Sequence, residues 1–188
     1  MGGYGKKLKA VRPDIFLIGV EQNPIMAQCA DPYYDEVVRC QMEDADLPGD
    51  FDLVNCGDIL EHLRDPCSML SRLNALLKTG GYLVLSVPNA GHWSVVRDLL
   101  KGRFQYVPAG ILCVTHLRWF TESSIRKVLK DADFLMDVFQ REQITPTPRG
   151  QAFILDICAA GYGNENSLKT NEFVIRAVKG PEVQFSTI

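Results

Sequence analysis

The sequence predicts an α/β domain built on a parallel sheet. Short apolar runs alternate with helical patterns over the first two thirds of the chain, the arrangement that βαβ units require. One run, Ile15–Val20 (IFLIGV), is continuously apolar, as a strand covered on both faces should be. With 188 residues, 46% hydrophobic and 23% charged, the chain is long and apolar enough to bury one ordinary core.

Taken in order, Tyr4–Val11 reads as a helix that stops at the Arg12-Pro13 step, and Ile15–Val20 as the first strand. Pro24–Ala30 reads as a helix with proline in its first turn, where a missing N–H costs little. Glu36–Arg39 is a short strand. Phe51–Cys56 (FDLVNC) is another, announced by the turn residues Pro48-Gly49-Asp50. The clearest helix is Pro66–Lys78. Asp65 can cap it, Pro66 suits its first turn, and Met69, Leu70, Leu73, Leu76 and Leu77 form its apolar stripe. Thr79-Gly80-Gly81 ends it, and the strand Tyr82–Val87 follows and breaks at Pro88.

Beyond Pro88 the pattern changes. Ala90–Leu117 mixes Gly, Pro and aromatic residues without a period and is expected to be an irregular segment over the sheet. Thr121–Asp131 is a helix with Thr121 and Ser124 near its cap. Phe134–Gln140 and Glu172–Val178 are the last strands, and the stretch between them, Gly161–Asn171 above all, is expected to be loop. Internal repeats and low-complexity segments are absent from the sequence.

Composition excludes several classes of function. A net charge of −3 offers no concentrated basic face for phosphates; Lys6, Lys7 and Lys9 alternate with apolar residues as a solvated helix face would. No nucleic-acid partner is therefore expected. No apolar stretch approaches the ~18 residues of a membrane span. The start shows no signal-peptide core, and Lys6 stands where a myristoylation signal needs Ser or Thr. Cys29, Cys40, Cys56, Cys67, Cys113 and Cys158 form neither a CxxC pair nor a metal-ligand spacing, so no metal is expected and the cytoplasm is the expected location.

Gly19-Val20-Glu21 is the first chemical signal. A strand ending in a carboxylate is how dinucleotide-type folds hold an adenosine ribose, because two oxygens can accept from both hydroxyls. Alone it serves a nicotinamide dehydrogenase, or a plain solvated turn, equally well. The second signal is longer: Phe51-Asp52-Leu53-Val54, then Asp58-Ile59-Leu60-Glu61-His62-Leu63, then Asp65-Pro66, a helix, and Leu77-Lys78-Thr79-Gly80-Gly81-Tyr82-Leu83-Val84-Leu85-Ser86-Val87-Pro88-Asn89. With this run the chain resembles the class I S-adenosylmethionine-dependent methyltransferases of small molecules, the ubiquinone-type O-methyltransferases among them. Gly102-Arg103-Phe104-Gln105-Tyr106 and Thr115-His116-Leu117-Arg118-Trp119-Phe120-Thr121 are similar to a bacterial branch met beside sugar-transfer and polysaccharide genes. The resemblance covers roughly residues 2–135.

The resemblance implies a Rossmann-like fold: a mostly parallel sheet flanked by helices, with an antiparallel final strand. It implies a single methyltransferase domain over 1–188, with a partial cofactor-binding core at 1–90, a segment covering the acceptor at 91–120, and the C-terminal helix and last strands at 121–188. S-adenosyl-L-methionine is the implied cofactor and a small-molecule methyl acceptor the implied partner. Glu21 matches the ribose-binding acid, and Gln22 follows it against the adenine. Gln41-Met42-Glu43 falls where the family has Asp-x-Glu, so Gln41 replaces the carboxylate that accepts from the adenine amino group, which an amide oxygen can also do. Gly57 and Asp58 match the segment beside the methionine part of the cofactor. His116 and His62 are the catalytic candidates, each able as neutral imidazole to take a proton from the acceptor. His92, Arg118 and Trp119 are candidates to face the substrate.

Complete members of the family begin with a strand and a Gly-x-Gly-x-Gly turn. The pattern aligns Gly2 with the last of those glycines and Tyr4–Leu8 with the helix after it, so the first strand is expected to be missing. A truncated reading frame, a degenerate copy or a replacement segment would each account for this. Two further functions stay open: a non-catalytic Rossmann-like relic that binds no cofactor, favoured by the lost glycine turn and Gln41, and a nicotinamide oxidoreductase, for which no hydride-transfer site is visible.

Overall fold

In the computed structural model, which describes residues 3–180, the strands fall into two sheets carried by different units of the chain, Met1–Pro48 and Gly49–Ile188. In the first unit, helix α1 (Gly3–Val11) leads to strand β1 (Ile18–Val20), helix α2 (Pro24–Ala30) and strand β2 (Glu36–Val38). β1 and β2 pair in parallel, with Gly19 opposite Val37. Asn23 starts α2 by accepting from the amides of Ile25 and Met26, and Pro24 fills its first position. Tyr34 packs its ring where two glycines leave room: a Cβ on Gly5 would lie 2.5 Å from Tyr34 Cε2, and one on Gly19 3.1 Å from Cδ1.

The predicted strand Ile15–Val20 shortens to β1 and is half-buried rather than covered on both faces. Two causes are visible. The Leu17 amide donates to the Asp35 carboxylate (2.7 Å) and the Leu17 carbonyl accepts from Asp35 and Glu36, so the ladder opens only at Ile18. Among the described residues β1 is also paired along one edge alone, and Phe16 lies 70% exposed.

The second unit contains strand β3 (Phe51–Gly57), helix α3 (Pro66–Leu76), strand β4 (Leu77–Pro88), helix α4 (Trp93–Leu100), helix α5 (Glu122–Asp131), strand β5 (Phe134–Gln143), helices α6 (Pro148–Ala159) and α7 (Glu165–Lys169), and strand β6 (Thr170–Lys179). The sheet order is β3-β4-β6-β5; β3 is parallel to β4, and β6 runs antiparallel to both its neighbours. The final strand is therefore the only one reversed in this sheet, as the family's fold implies. Leu83, Leu85 and Val87 of β4 stand opposite Ala177, Ile175 and Phe173 of β6, and all six are buried. Leu70 and Leu73 of α3, Ile125 and Leu129 of α5, and Phe134 complete this core.

Caps place the helices as the residues anticipate. Asp65 accepts from the Ser68 amide, and Thr121 and Ser124 form a reciprocal capping box at the start of α5. α3 ends two residues before the predicted Lys78, because Leu77 already pairs with Phe51. The tight entry into β4 needs its glycines: Gly80 has φ +75°, and a Cβ on Gly81 would meet the Lys78 carbonyl oxygen at 2.9 Å.

Two expectations fail. The segment 90–117 is not wholly irregular, since α4 lies inside it, and 161–171 is not a plain loop, since α7 occupies part of it and α6 precedes it. α4 hides from the sequence because its cap is a histidine, His92, whose ring accepts from the Ser94 amide. Trp93 of α4, Ile154 of α6 and Leu168 of α7 bury one another in a cluster of their own. Gly150 brings α6 against Trp93, where a Cβ would come within 2.7 Å of the indole.

Asn89 ties these pieces together. Fully buried, it donates to the carbonyls of Ser167 (2.9 Å) and Thr170 (2.8 Å) and accepts from the Gly91 amide (2.8 Å). Asn89→Ala orphans buried backbone groups and should lower unfolding stability by about 2–3 kcal/mol, read as a reduced urea midpoint; an unchanged midpoint would mean that water replaces the amide.

Candidate functional site

The C-terminal end of β3 carries the densest chemistry of the second unit. Asp58 adopts φ 52°, a left-handed conformation unusual for a residue with a side chain. Its amide donates to the carbonyl and hydroxyl oxygens of Ser86 (3.2 and 3.1 Å), and the Ser86 hydroxyl donates back to the Asp58 carboxylate (2.9 Å). A one-turn 3-10 helix, Leu60–His62, follows at once. Its middle residue, Glu61, is 1% exposed, and neither carboxylate oxygen has a hydrogen-bond partner. Burial, with smaller contributions from the charges of Asp58 and Glu172, pushes its pKa up to about 7.

The backbone of Glu61 recruits the far histidine. Its carbonyl accepts from the amides of Leu117 (2.7 Å) and Arg118 (3.0 Å), which draws residues 115–118 onto the turn. His62 Nδ1 lies 3.0 Å from the Thr115 carbonyl, His116 Nδ1 2.9 Å from the Ile111 carbonyl, and the two rings meet edge to face with centroids 4.8 Å apart. A carbonyl only accepts, so each Nδ1 carries hydrogen, and the neutral form of each ring has its lone pair on Nε2. Asp58, Glu61, His62, His116 and Glu172 line one cavity of about 220 Å³. Glu172 is itself raised in pKa, by burial first and then by Asp58.

A second cavity, of about 320 Å³, shares Ile111 and Asn171 with the first. His92 lines it beside Asp98, Arg103 and Gln105. His92 Nδ1 accepts at the start of α4, so hydrogen sits on Nε2, a buried donor without a partner. Burial lowers the His92 pKa to about 4. The imidazole is thus a neutral donor, suited to an oxygen of a ligand.

The first unit offers a separate cavity of about 190 Å³, lined by Tyr4, Gly19, Val20, Glu21, Met26 and Tyr34 among others. Glu21 follows β1; one carboxylate oxygen accepts from the Asn23 amide at 2.8 Å. Gln22 is exposed beside it. Gln41, also exposed, precedes the one-turn 3-10 helix Met42–Asp44.

Of the residues singled out from sequence, His62, His116 and Asp58 come together in one cavity and His92 lines its neighbour. Gly57 lies one residue before Asp58 at the end of β3. Arg118 donates to the carbonyls of Leu117 and Arg64, and Trp119 stacks edge-on with Phe104 (5.4 Å between centroids) near Tyr106; neither lines these two cavities. Gly2 lies outside the described residues. Glu61 and Glu172 are the residues the sequence reading passed over. Glu61 had one signal, its place beside His62 directly after a strand, but its burial could not be read from the chain.

A family profile for a methyltransferase domain matches residues 2–137. The chain belongs to that family. It is 39% identical over 56 residues to the ubiquinone biosynthesis O-methyltransferase of Pseudomonas aeruginosa, covering 30% of this chain and 24% of that protein. With the protein of the same description from Burkholderia ambifaria it shares 23% identity over 159 residues, 82% of this chain and 66% of the other. The chain therefore spans between about a quarter and two thirds of these relatives. Among solved structures, magnesium protoporphyrin IX methyltransferase of Synechocystis with bound S-adenosylhomocysteine has a similar fold (TM-score 0.60, 20% identity, 95% of this chain and 70% of that one). So does a SAM-dependent methyltransferase of Archaeoglobus fulgidus (TM-score 0.59, 19% identity, 95% and 82%). No helix among the described residues is long and apolar enough to cross a membrane.

The His92 assignment has a pH signature. The folded pKa lies below the ordinary 6.5, so between about 6.5 and 4 the unfolded chain binds the extra proton. Stability present above pH 6.5 is then lost as pH falls, by at most about 1.4 kcal/mol per unit. The stability difference between wild type and His92→Gln should shift against wild type over that window in urea titrations; a constant difference would mean that His92 is solvated.

Proposed function

We propose that this chain transfers the methyl group of S-adenosylmethionine to an oxygen or nitrogen of a small molecule, with a sugar or glycan precursor as the acceptor class. The observation that carries the reading is the convergence of Glu61, His62 and His116 at the end of β3, beside the His92 cavity, in a chain of a methyltransferase family. The acceptor class rests on the resemblance of residues 102–121 to the polysaccharide-cluster branch; the aromatic surface of Phe104, Tyr106 and Trp119 suits a sugar ring.

The cofactor residues are assigned from the family resemblance, each unit taken by itself. Glu21 stands at the wall of the first unit's cavity with one oxygen held by the Asn23 amide and the other available to a ribose hydroxyl. Gln22, Gln41 and Met42 are assigned to the adenine. In the second unit Gly57 leaves its backbone open, since a Cβ there would meet only the Ser86 hydroxyl at 3.6 Å, and Asp58 follows in its constrained conformation. When bound, S-adenosylmethionine supplies a methyl already activated on a sulfonium. What remains for the protein is to align the acceptor behind that methyl and to exclude water. His116 and His62 are assigned to the acceptor side, with Nε2 as the free nitrogen of each, and His92 donates to an acceptor oxygen. Arg118 and Trp119 support the covering segment around it.

The test is calorimetric binding of S-adenosylhomocysteine to the purified chain. Micromolar binding weakened about tenfold to a hundredfold in Glu21→Ala is expected, the loss of charge-assisted hydrogen bonds to the ribose. A folded chain that takes up no S-adenosylhomocysteine would sink the proposal.

A further inference from the structure

We propose that the cavity beside His92 selects methyl acceptors that carry an anionic group, a carboxylate or a phosphate, on a hydroxylated ring, with Arg103 meeting the anion and His92 an uncharged oxygen. Calling that molecule an acceptor rests on the methyl-transfer reading; the site itself stands on the geometry of the second unit.

His92 is 7% exposed and turns Nδ1 to the Ser94 amide, so its Nε2–H is a buried donor that no described group answers. Such a donor is costly unless a ligand supplies the acceptor. Burial keeps the ring uncharged, which suits it to a hydroxyl, ether or carbonyl oxygen. Arg103, partly exposed at the same cavity, supplies the charge. It is tied twice to Asp98: its Nη2 donates to Asp98 Oδ1 and its amide to the Asp98 carbonyl, each at 2.8 Å. The same Oδ1 also accepts from Arg97 Nε at 3.2 Å. One carboxylate thus serves two guanidiniums, and a positive charge is left over. The other N–H groups of Arg103 have no partner among the described residues and are free to take an anion, whose oxygens a guanidinium matches in shape.

The local chain explains why Arg103 faces the cavity. Arg103, Gln105 and Val107 line it, whereas Phe104 and Tyr106 do not and pack instead on the Trp119 ring, with centroids 5.4 and 6.0 Å away. This every-other-residue alternation is that of an extended chain, so the aromatic anchors hold the intervening side chains toward a ligand. Val107, Ile111 and Leu112 add an apolar wall for the face of a ring. Charge then orients the acceptor. The adjoining cavity, which shares Ile111 and Asn171, is lined by Asp58, Glu61 and Glu172 and by neither Lys nor Arg, so it disfavours an anion. The anionic end is held at Arg103, and a hydroxyl at the far end of the ring enters the neighbouring cavity, where His62 and His116 stand. A neutral sugar lacks this bias and gains nothing from one orientation over the other.

The full chain, carrying isotope-labelled histidine, is titrated in turn with glucuronate, glucose-6-phosphate and glucose. The His92 resonance is followed by NMR and assigned by its loss in His92→Gln. At least one of the two anions is expected to shift it saturably and to bind about tenfold more tightly than glucose. Whichever anion binds tighter tells carboxylate from phosphate. In Arg103→Ala the preference should disappear with circular dichroism unchanged, because the side chain lies at the surface. Arg103→Lys should restore part of it, as charge without the planar fork. Equal affinity for glucose and both anions, a preference that survives Arg103→Ala, or no saturable shift with any of the three would overturn the proposal. S-adenosylhomocysteine binding is measured on the same chain. Anion binding without it leaves the Arg103 site standing and removes the methyl-transfer reading, whereas S-adenosylhomocysteine binding without the anion preference does the reverse.

Discussion

The carbonyl of Glu61 receives two amides from a segment more than fifty residues downstream, Leu117 at 2.7 Å and Arg118 at 3.0 Å. This pair of bonds decides what the second unit can do. It fixes residues 115–118 at one point, turns His116 inward and places the Thr115 carbonyl against His62. The same residue spends its side chain differently, sending a carboxylate into a space where no protein donor answers it. Backbone order and side-chain frustration meet in one residue, which is the arrangement expected where binding, rather than stability, has set the structure.

Charge explains the rest of that cavity. Asp58, Glu61 and Glu172 converge: the charge of Asp58 raises the pKa of both glutamates, and that of Glu172 adds to the rise of Glu61. Ser86 relieves part of this by donating to Asp58, and the left-handed turn at Asp58 holds its carboxylate within reach of that hydroxyl. Next door, His92 is kept neutral by burial, so the two cavities differ in character: one rich in acceptors, the other holding a buried donor without a partner. An elongated polar ligand could answer both.

Much of the scaffold was legible because its signals are local. Asn23-Pro24 and Asp65-Pro66 announce helix starts whose caps form as the residues require, and Pro24–Ala30 keeps its predicted bounds. The strand Tyr82–Val87 was also visible, and its Leu83, Leu85 and Val87 meet partners of matching register on β6. Illegible were α4, α6 and α7, which bury Trp93, Ile154 and Leu168 against one another, and the true start of β1, set by an Asp35 side chain eighteen positions away. Periodicity cannot report a partner that is distant in the chain.

The same divide runs through the function. By itself the sequence determined the family, the carboxylate after β1 and the histidines at 62 and 116, because each belongs to an ordered motif with its own spacing. Tertiary structure alone decided that Glu61 is buried without a partner, that the two histidines touch, and that each turns its Nδ1 to a backbone carbonyl. The reason is physical: burial, tautomer and mutual approach depend on which backbone groups from remote segments come to rest against a side chain, and no local pattern of residues encodes that.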